Sequence, residues 1–375
     1  MTLDARILGQ RVAEARLRAG LTQQALANVV SLDRSALAKV ELGERRVSAL
    51  ELTRIAQAVG SRIEWFVEES APAIVSHRNM AEPGAPSPHI DAEIERRARA
   101  VEFVAGLAEK FEPSVPSTRD CPMSGASADA LAQVARASLG VASDGPLIGL
   151  GELVTNIGVF PFVVDLGPET ADAASVVLDA GAVAVINGTL RVGRRRLALA
   201  HELGHILVAD PYTVDWRVGV ELSGERRESL IDRFARALLL PEQSLRTDWE
   251  QWGGASPETF RTATVRAASK YQVDMATLAR RLLDFGRIDQ NEAAQIRSMR
   301  TTKADIVELN LVVGDELSVE RHSLPSSYAA AVLRLYRSAK ISEARALDLL
   351  FEAWDASDLP QLARLPEDAI WQFVS

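Results

Sequence analysis

Ala198-Leu199-Ala200-His201-Glu202-Leu203-Gly204-His205-Ile206-Leu207 is the stretch that narrows this chain most. Its apolar residues recur at helical spacing. The two histidines stand four apart, so both leave one face of a helix, one turn above the other. Each can give a ring nitrogen to a single metal ion. Glu202 lies beside the pair, where its carboxylate can reach a water at that ion as a general base. The chain holds only five histidines, so an accidental pair at this spacing with a glutamate between has a chance on the order of one per cent. The competing reading is an amphipathic helix whose histidines are merely hydrogen-bonded. Gly204 is expected to let neighbouring backbone approach the ligand face.

A catalytic zinc needs a third protein ligand and an open fourth position. Downstream, Glu228-Ser229-Leu230-Ile231-Asp232-Arg233-Phe234-Ala235-Arg236-Ala237-Leu238-Leu239-Leu240-Pro241 reads as a helix, with Ile231, Phe234, Ala235 and Leu238 inward and Pro241 ending it. Glu228, at its start, can point across to the histidines. Asp210, Asp215, Glu221, Glu225 and Asp232 are also near in sequence, so spacing alone leaves the choice open. Upstream, 159–164, 175–178 and 183–186 are short β-branched runs, a small sheet just before the histidine helix. Asn187 reads as a structural strand-end residue. Tyr212, Arg195 and Arg217 are the available donors for a developing oxyanion.

Further outward the chain is helical. Helices are expected near 127–139, 147–158, 226–240, 257–271, 275–285, 291–299, 326–339 and 341–354, with a strand or two in 305–319. Residues 71–88 hold four prolines and a glycine and read as a linker, and a helix resumes over 91–111. Residues 5–69 read as a run of short helices: Thr22 and Asp33 stand at N-cap positions, and Ser48-Ala49-Leu50-Glu51 has capping-box spacing. Within them, Leu21-Thr22-Gln23-Gln24-Ala25-Leu26-Ala27 and then Asp33-Arg34-Ser35-Ala36-Leu37-Ala38-Lys39-Val40-Glu41 make two helices around a tight turn. In a helix-turn-helix the second lies in the major groove with its N-terminal residues near base edges. Arg34, Ser35 and Lys39 fall on its outward face, and Leu37, Val40 and Ala36 are expected inward. Gln23, Arg45 and Arg46 flank it as candidate phosphate contacts. A helical bundle used only for protein contact is the plainer alternative.

Composition sets the outer limits. At 375 residues with 47% hydrophobic and 25% charged content, two or three globular domains are expected. Cys121 is the single cysteine, which excludes an internal disulfide and a thiolate metal site. No apolar run suggests a membrane span and the N-terminal residues carry no secretory core, so a cytoplasmic location is expected. The net charge is −9, but residues 1–69 carry +1 and the remainder −10. Nucleic-acid contact is therefore placed by a local motif rather than by bulk charge. His77, His89 and His322 read as solvated, and Cys121 has no base partner.

Two resemblances follow from these residues. Residues 6–68 resemble the Cro/C1-repressor (XRE) helix-turn-helix family, through Leu21-Thr22-Gln23-Gln24, through Ser35 to Val40-Glu41 and Gly43-Glu44-Arg45, and through Ile55-Ala56-Gln57-Ala58-Val59-Gly60 with Trp65-Phe66. Two positions depart: Ser31 replaces the usual turn glycine, and Asp33 replaces a small hydroxyl residue. Residues from about 130 to 290 resemble the ImmA/IrrE metallopeptidase family, through the strand 183–187, the His-Glu-Leu-Gly-His helix, and the helix from Glu228 through Phe234-Ala235 to Pro241. That resemblance implies Glu228 as third zinc ligand, and it has asparagine where this chain has Asp232, a candidate partner for a ligand histidine.

The expected organisation is mainly α with a small β-sheet (α+β). A five-helix helix-turn-helix domain spans 5–69, a linker 70–92, a helical connector 93–126, a zincin-like zinc metallopeptidase domain 127–290 and a helical region 291–375. The resemblances imply a homodimeric transcriptional regulator bound to a double-stranded operator, whose zinc domain cleaves a specific regulatory protein, another helix-turn-helix regulator being the type expected. Two alternatives stay open. One is a repressor or antitoxin-like factor whose metal domain senses a signal or binds a partner. The other is a hydrolase acting on a bond that is not a peptide.

Overall fold

The structure, a computed structural model, describes residues 5–19, 21–59, 63, 66, 74–78, 88–111, 114–167, 171–208, 224–311 and 323–362. The chain is mainly helical with one small sheet, and it divides into two compact units. The first comprises Met1–Pro72 and Pro86–Glu95, the second Ala73–Ala85 and Arg96–Ser375.

In the first unit, α1 (Ala5–Arg18), α2 (Gln23–Val29), α3 (Arg34–Glu41) and α4 (Ala49–Ala58) enclose Val12, Leu26, Leu37, Val40, Ile55 and Phe66. Four helices of the expected five are described, with Ile63 and Phe66 helical beyond them. Thr22 starts α2 by accepting from the Ala25 amide at 3.1 Å. The expected capping box forms at α4: Glu51 takes the Ser48 amide and the Ser48 hydroxyl takes the Glu51 amide. Asp33 occupies the N-cap of α3, but its side chain makes no capping bond, which corrects its expected role. The turn between α2 and α3 passes through Ser31 at φ 57°, a left-handed conformation costing a non-glycine residue about 1–2 kcal/mol. The buried pair Arg16–Glu41, bonded at 2.7 and 3.1 Å, ties α1 to the end of α3.

The second unit is built on a four-stranded sheet of order β1-β3-β4-β2, with β1 Ile74–Arg78, β2 Val159–Val164, β3 Ala173–Leu178 and β4 Gly181–Asn187. β2 runs parallel to β4, while β3 is antiparallel to both β4 and β1. Every residue of β2 and β4 is buried, as the near-continuous apolar sequences that precede Asn187 require of strands covered on both faces. β3 and β4 begin before the runs 175–178 and 183–186 that announce them. β1 is a correction: it lies inside the stretch read as linker, where Ile74 and Val75 supply strand character that the surrounding prolines obscure. The following helix α5 (Pro88–Leu107) starts on Pro88, earlier than 91, because proline suits the first helical position.

Behind the sheet follow α6 (Gly125–Ser138), α7 (Leu150–Asn156), α8 (Val192–Val208), α9 (Gly224–Leu239), α10 (Glu242–Gln251), α11 (Phe260–Tyr271), α12 (Met275–Asp284) and α13 (Gln290–Ser298). α10 has no counterpart in the sequence reading. α8 packs on β3 and β4, and α9 packs on α8 and α6. Arg136, on α6 and 1% exposed, donates to the carbonyls of Ala142, Asp144, Gly145 and Leu238, fastening α6 to the end of α9. α14 (Lys303–Glu308) is helical where a strand was expected to start, and 312–320 lie outside the described residues. α15 (Ser326–Arg337), α16 (Glu343–Leu349) and a 3₁₀ turn, Phe351–Ala353, complete the unit. No helix among the described residues is long and apolar enough to cross a membrane.

Candidate metal centre and nucleic-acid interface

α8 is buried from Arg195 through Val208, its two histidines included. His201 is 2% exposed and His205 3%, with their Nε2 atoms 3.0 Å apart. Across from them, α9 presents Glu228, whose Oε2 lies 3.4 Å from each Nε2. Two donors at zinc bonding distance in tetrahedral geometry stand about 3.3 Å apart, so edges of 3.0, 3.4 and 3.4 Å suit one ion capping the triangle. The group His201, His205 and Glu228 can therefore hold a metal, and it is the set of three named from the sequence.

The surroundings are consistent with that use. Asp232, one turn beyond Glu228 on the same face of α9, sits 2.9 Å from Nδ1 of His201 and so orients the ring with Nε2 toward the centre. Partial burial acts to raise the Glu228 pKa, but hydrogen bonds from His201 and His205 and their charge outweigh it and hold the carboxyl well below its ordinary range. Arg233 binds Asp129 of α6 at 2.7 Å and Arg236 binds Asp284 of α12 at 2.9 Å, which fixes the rotation of α9 and aims Glu228 and Asp232 at α8.

Gly204 sets the separation of the two helices. A Cβ there would fall 2.8 Å from Phe234 Cδ1 and 2.9 Å from Ile231 Cγ2. The close neighbours are thus side chains of α9, not backbone as expected.

Glu202 is fully buried. Its Oε2 accepts from the Ser175 hydroxyl of β3 at 2.6 Å, while Oε1 has no hydrogen-bond partner among the described residues. Leaving a buried polar group unpaired costs about 1–3 kcal/mol, more if it is charged, and such groups cluster where a reaction needs them. The free oxygen is what a general base would aim at a water. Ser175 was missed by the sequence reading, since a serine in a strand carries no signal of what it faces.

The other candidates scatter. Arg195 lies further back on α8 and donates to the Gly188 carbonyl at 3.4 Å, apart from the ligand group. Tyr212 and Arg217 lie outside the described residues, as do Asp210, Asp215, Glu221 and His322. Asn187 binds the Gly167 carbonyl at 2.8 Å and accepts from Thr189, a structural role as expected.

In the first unit, Arg34, Ser35 and Lys39 are exposed on α3, as is Arg46 beyond it. Leu37 and Val40 are buried as expected, but Ala36 is only half-buried. Gln23 is half-buried and donates to Glu41 at 2.8 Å, and Arg45 is bound to Glu51 at 2.7 Å. Those two are partly engaged within the fold. Arg34 lines an open concavity with Thr22, Gln23 and Gln24, where the starts of α2 and α3 meet.

Residues 12–66 match the helix-turn-helix family, and residues 163–283 match the IrrE N-terminal-like domain, a peptidase family. No curated protein matches the chain. Among solved structures, the restriction-modification controller protein C.AhdI from Aeromonas hydrophila is 36% identical, the match covering 17% of this chain and 96% of that one, with a TM-score of 0.17.

Proposed function

Proceeding from a chain that joins an XRE-type helix-turn-helix domain to an IrrE/ImmA-like metallopeptidase domain, we propose that it is a DNA-bound transcriptional regulator whose second domain is a zinc-dependent endopeptidase acting on a specific regulatory protein. The observation that carries this reading is the triangle of His201, His205 and Glu228, with edges matching a tetrahedral zinc, together with a buried carboxylate oxygen of Glu202 that has no hydrogen-bond partner among the described residues. Zinc held there supplies Lewis-acid polarisation of a peptide carbonyl and of water. Glu202 takes the proton of the attacking water at Oε1 and delivers a proton to the leaving amine, and the C–N bond breaks to give a carboxylate and a free amine. Ser175 holds the other oxygen and keeps the carboxylate in place. His201 is kept in one orientation by Asp232.

On the DNA side, Arg34, Ser35 and Lys39 read the major groove and Arg46 meets phosphate, with Gln23 and Arg45 contributing once their bonds to Glu41 and Glu51 rearrange. A homodimer on an operator with half-sites about one helical turn apart is the arrangement this element serves.

The test has two stages. Purified wild-type protein is expected to hold one zinc per chain, lost in His201→Ala and in Glu228→Ala. No zinc after reconstitution would sink the peptidase reading. Wild type and Glu202→Ala are then incubated with candidate helix-turn-helix regulators, including a second copy of this chain, and new N-termini are identified by mass spectrometry. Termini formed by wild type alone support the proposal; zinc binding with no cleavage of any candidate favours a sensor or partner-binding module instead.

A further inference from the structure

The sheet edge beside the metal centre is already taken. β3 is the antiparallel outer strand of the local group formed by β2, β3 and β4, and an exposed strand edge is where another extended chain adds by main-chain pairing. β3 also carries Ser175, whose hydroxyl holds Glu202, so this edge of the sheet adjoins the general base. Along it lies β1, antiparallel, in a register that sets Ser76 opposite Ser175. Facing residues of such a pair have Cα atoms about 4.5–5.5 Å apart. The backbone at Ser76 thus runs one strand away from the residue bonded to Glu202, and β1 also packs against α8, which bears the histidines.

Nothing local puts β1 there. It is no hairpin partner of β3, and it comes from the stretch Ala73–Ala85, which belongs to the second unit while the sequence on either side of it belongs to the first. It is five residues long, its register breaks between Ile74 and Ser76, and prolines at 72 and 83 limit its extension. A short strand with an interrupted ladder has few main-chain bonds to give up when another strand takes its place.

Resting on the reading of this centre as a peptidase, we propose that Ile74–Arg78 is an intramolecular occupant of the strand edge that receives the substrate. The substrate is then an extended protein segment recognised chiefly through its main chain, and it pairs with β3 only by displacing β1. The chain between the DNA-binding unit and the metal domain acts as a built-in competitor.

A fluorescein-labelled synthetic peptide of residues 73–79 tests this on full-length protein. The variant carries Ser76→Pro together with His77→Pro; successive amides point to opposite sides of a strand, so two adjacent prolines remove one ladder donor whichever way β1 faces. The variant is expected to bind the peptide at least tenfold more tightly than wild type. Its amides in Ala173–Leu178 should exchange faster than in wild type and slow again when peptide is added. Equal or absent binding by a variant that keeps wild-type circular dichroism and zinc content overturns the proposal. Should the variant lose either, wild type is titrated to millimolar peptide instead. Exposure of the 74–78 amides with 173–178 still protected supports displacement, and unchanged protection of 74–78 overturns it. Repeating the binding with Glu202→Ala separates the two readings, because occupancy of the edge needs no hydrolysis.

Discussion

His201 and Arg34 each stand at the centre of a candidate functional surface, yet their settings are opposites. His201 is almost wholly buried, is held by Asp232 at one ring nitrogen and faces Glu228 and His205 at the other. Arg34 stands exposed at the first turn of α3. The candidate metal centre is a coupled cluster in which side chains bond one another, and the exposed α3 residues are separate side chains on a small core. Loss of one residue should therefore abolish function in the first and erode it in steps in the second.

The sharpest form of that contrast is Glu202→Gln. If the proposed peptidase reading holds, cleavage should fall by about 10²–10⁴-fold while zinc content stays at the wild-type level, since in that reading the side chain transfers protons and is not a ligand. Retained cleavage would show that another group takes the proton. Asp232→Ala removes no candidate ligand, only the partner of the His201 ring, yet competition with a chelator should show zinc affinity lower by about 10–100-fold. If affinity is unchanged, the ring of His201 is oriented without it and the centre is less coupled than described.

On the other side of the comparison, Arg34→Ala and Lys39→Ala should each weaken operator binding by about 1–3 kcal/mol if they read base edges. If they bind phosphate instead, each should lower the salt-dependence slope by about 1 and weaken all DNA sequences alike. A double variant that loses far more than the two singles combined would break the picture of independent contacts. The smallest effect belongs to Glu51. The side-chain bond from Arg45, then the bond from the Ser48 amide, hold its carboxyl down to about 2. A depressed carboxyl stabilises the fold above its unfolded range, near about 4.3, and the contribution fades as pH falls from there toward the folded value. Thermal unfolding of Glu51→Gln should thus trail wild type by under about 1 kcal/mol at pH 7, with the gap closing below about pH 4.

The same contrast explains what could be read in advance. His201, Glu202 and His205 lie within one helical turn, so their meeting is written in local spacing. Glu228 required a resemblance, because five other carboxylates were near in sequence and spacing does not rank them; among the described residues, the packing of α9 on α8 brings Glu228 to both histidines. The capping box Ser48–Glu51 is local and was legible; the missing bond of Asp33 was not, because an N-cap position shows where a side chain starts and not where it turns. β1 escaped through its strand pairing and Ser175 through the packing of α8 on β3, two contacts between residues far apart in sequence. Strand pairing joins residues far apart in sequence, and the alternation that marks a half-buried strand is too short to read in five residues among prolines. Glu41 escaped too: its anchoring of Arg16 and Gln23 depends on how α1 and α2 fold back upon α3.

Gly204 works as a shim. Two of the three candidate ligand atoms belong to α8 and one to α9, so the shape of the triangle is set by the gap between the two helices. That gap is set by a residue that contributes nothing to the chemistry except its lack of a side chain. A methyl group there would meet the side chains of Phe234 and Ile231 at less than 3 Å, and ordinary contact would return only if those side chains or α9 itself gave way by about 0.7 Å. Taken up by α9, that shift would be about a third of a zinc–nitrogen bond and would displace Glu228 relative to the histidines with every candidate ligand still present. The tolerance of the centre is thus set at a position that neither binds nor reacts, and a chain could keep all three ligands and its base and still lose the site there.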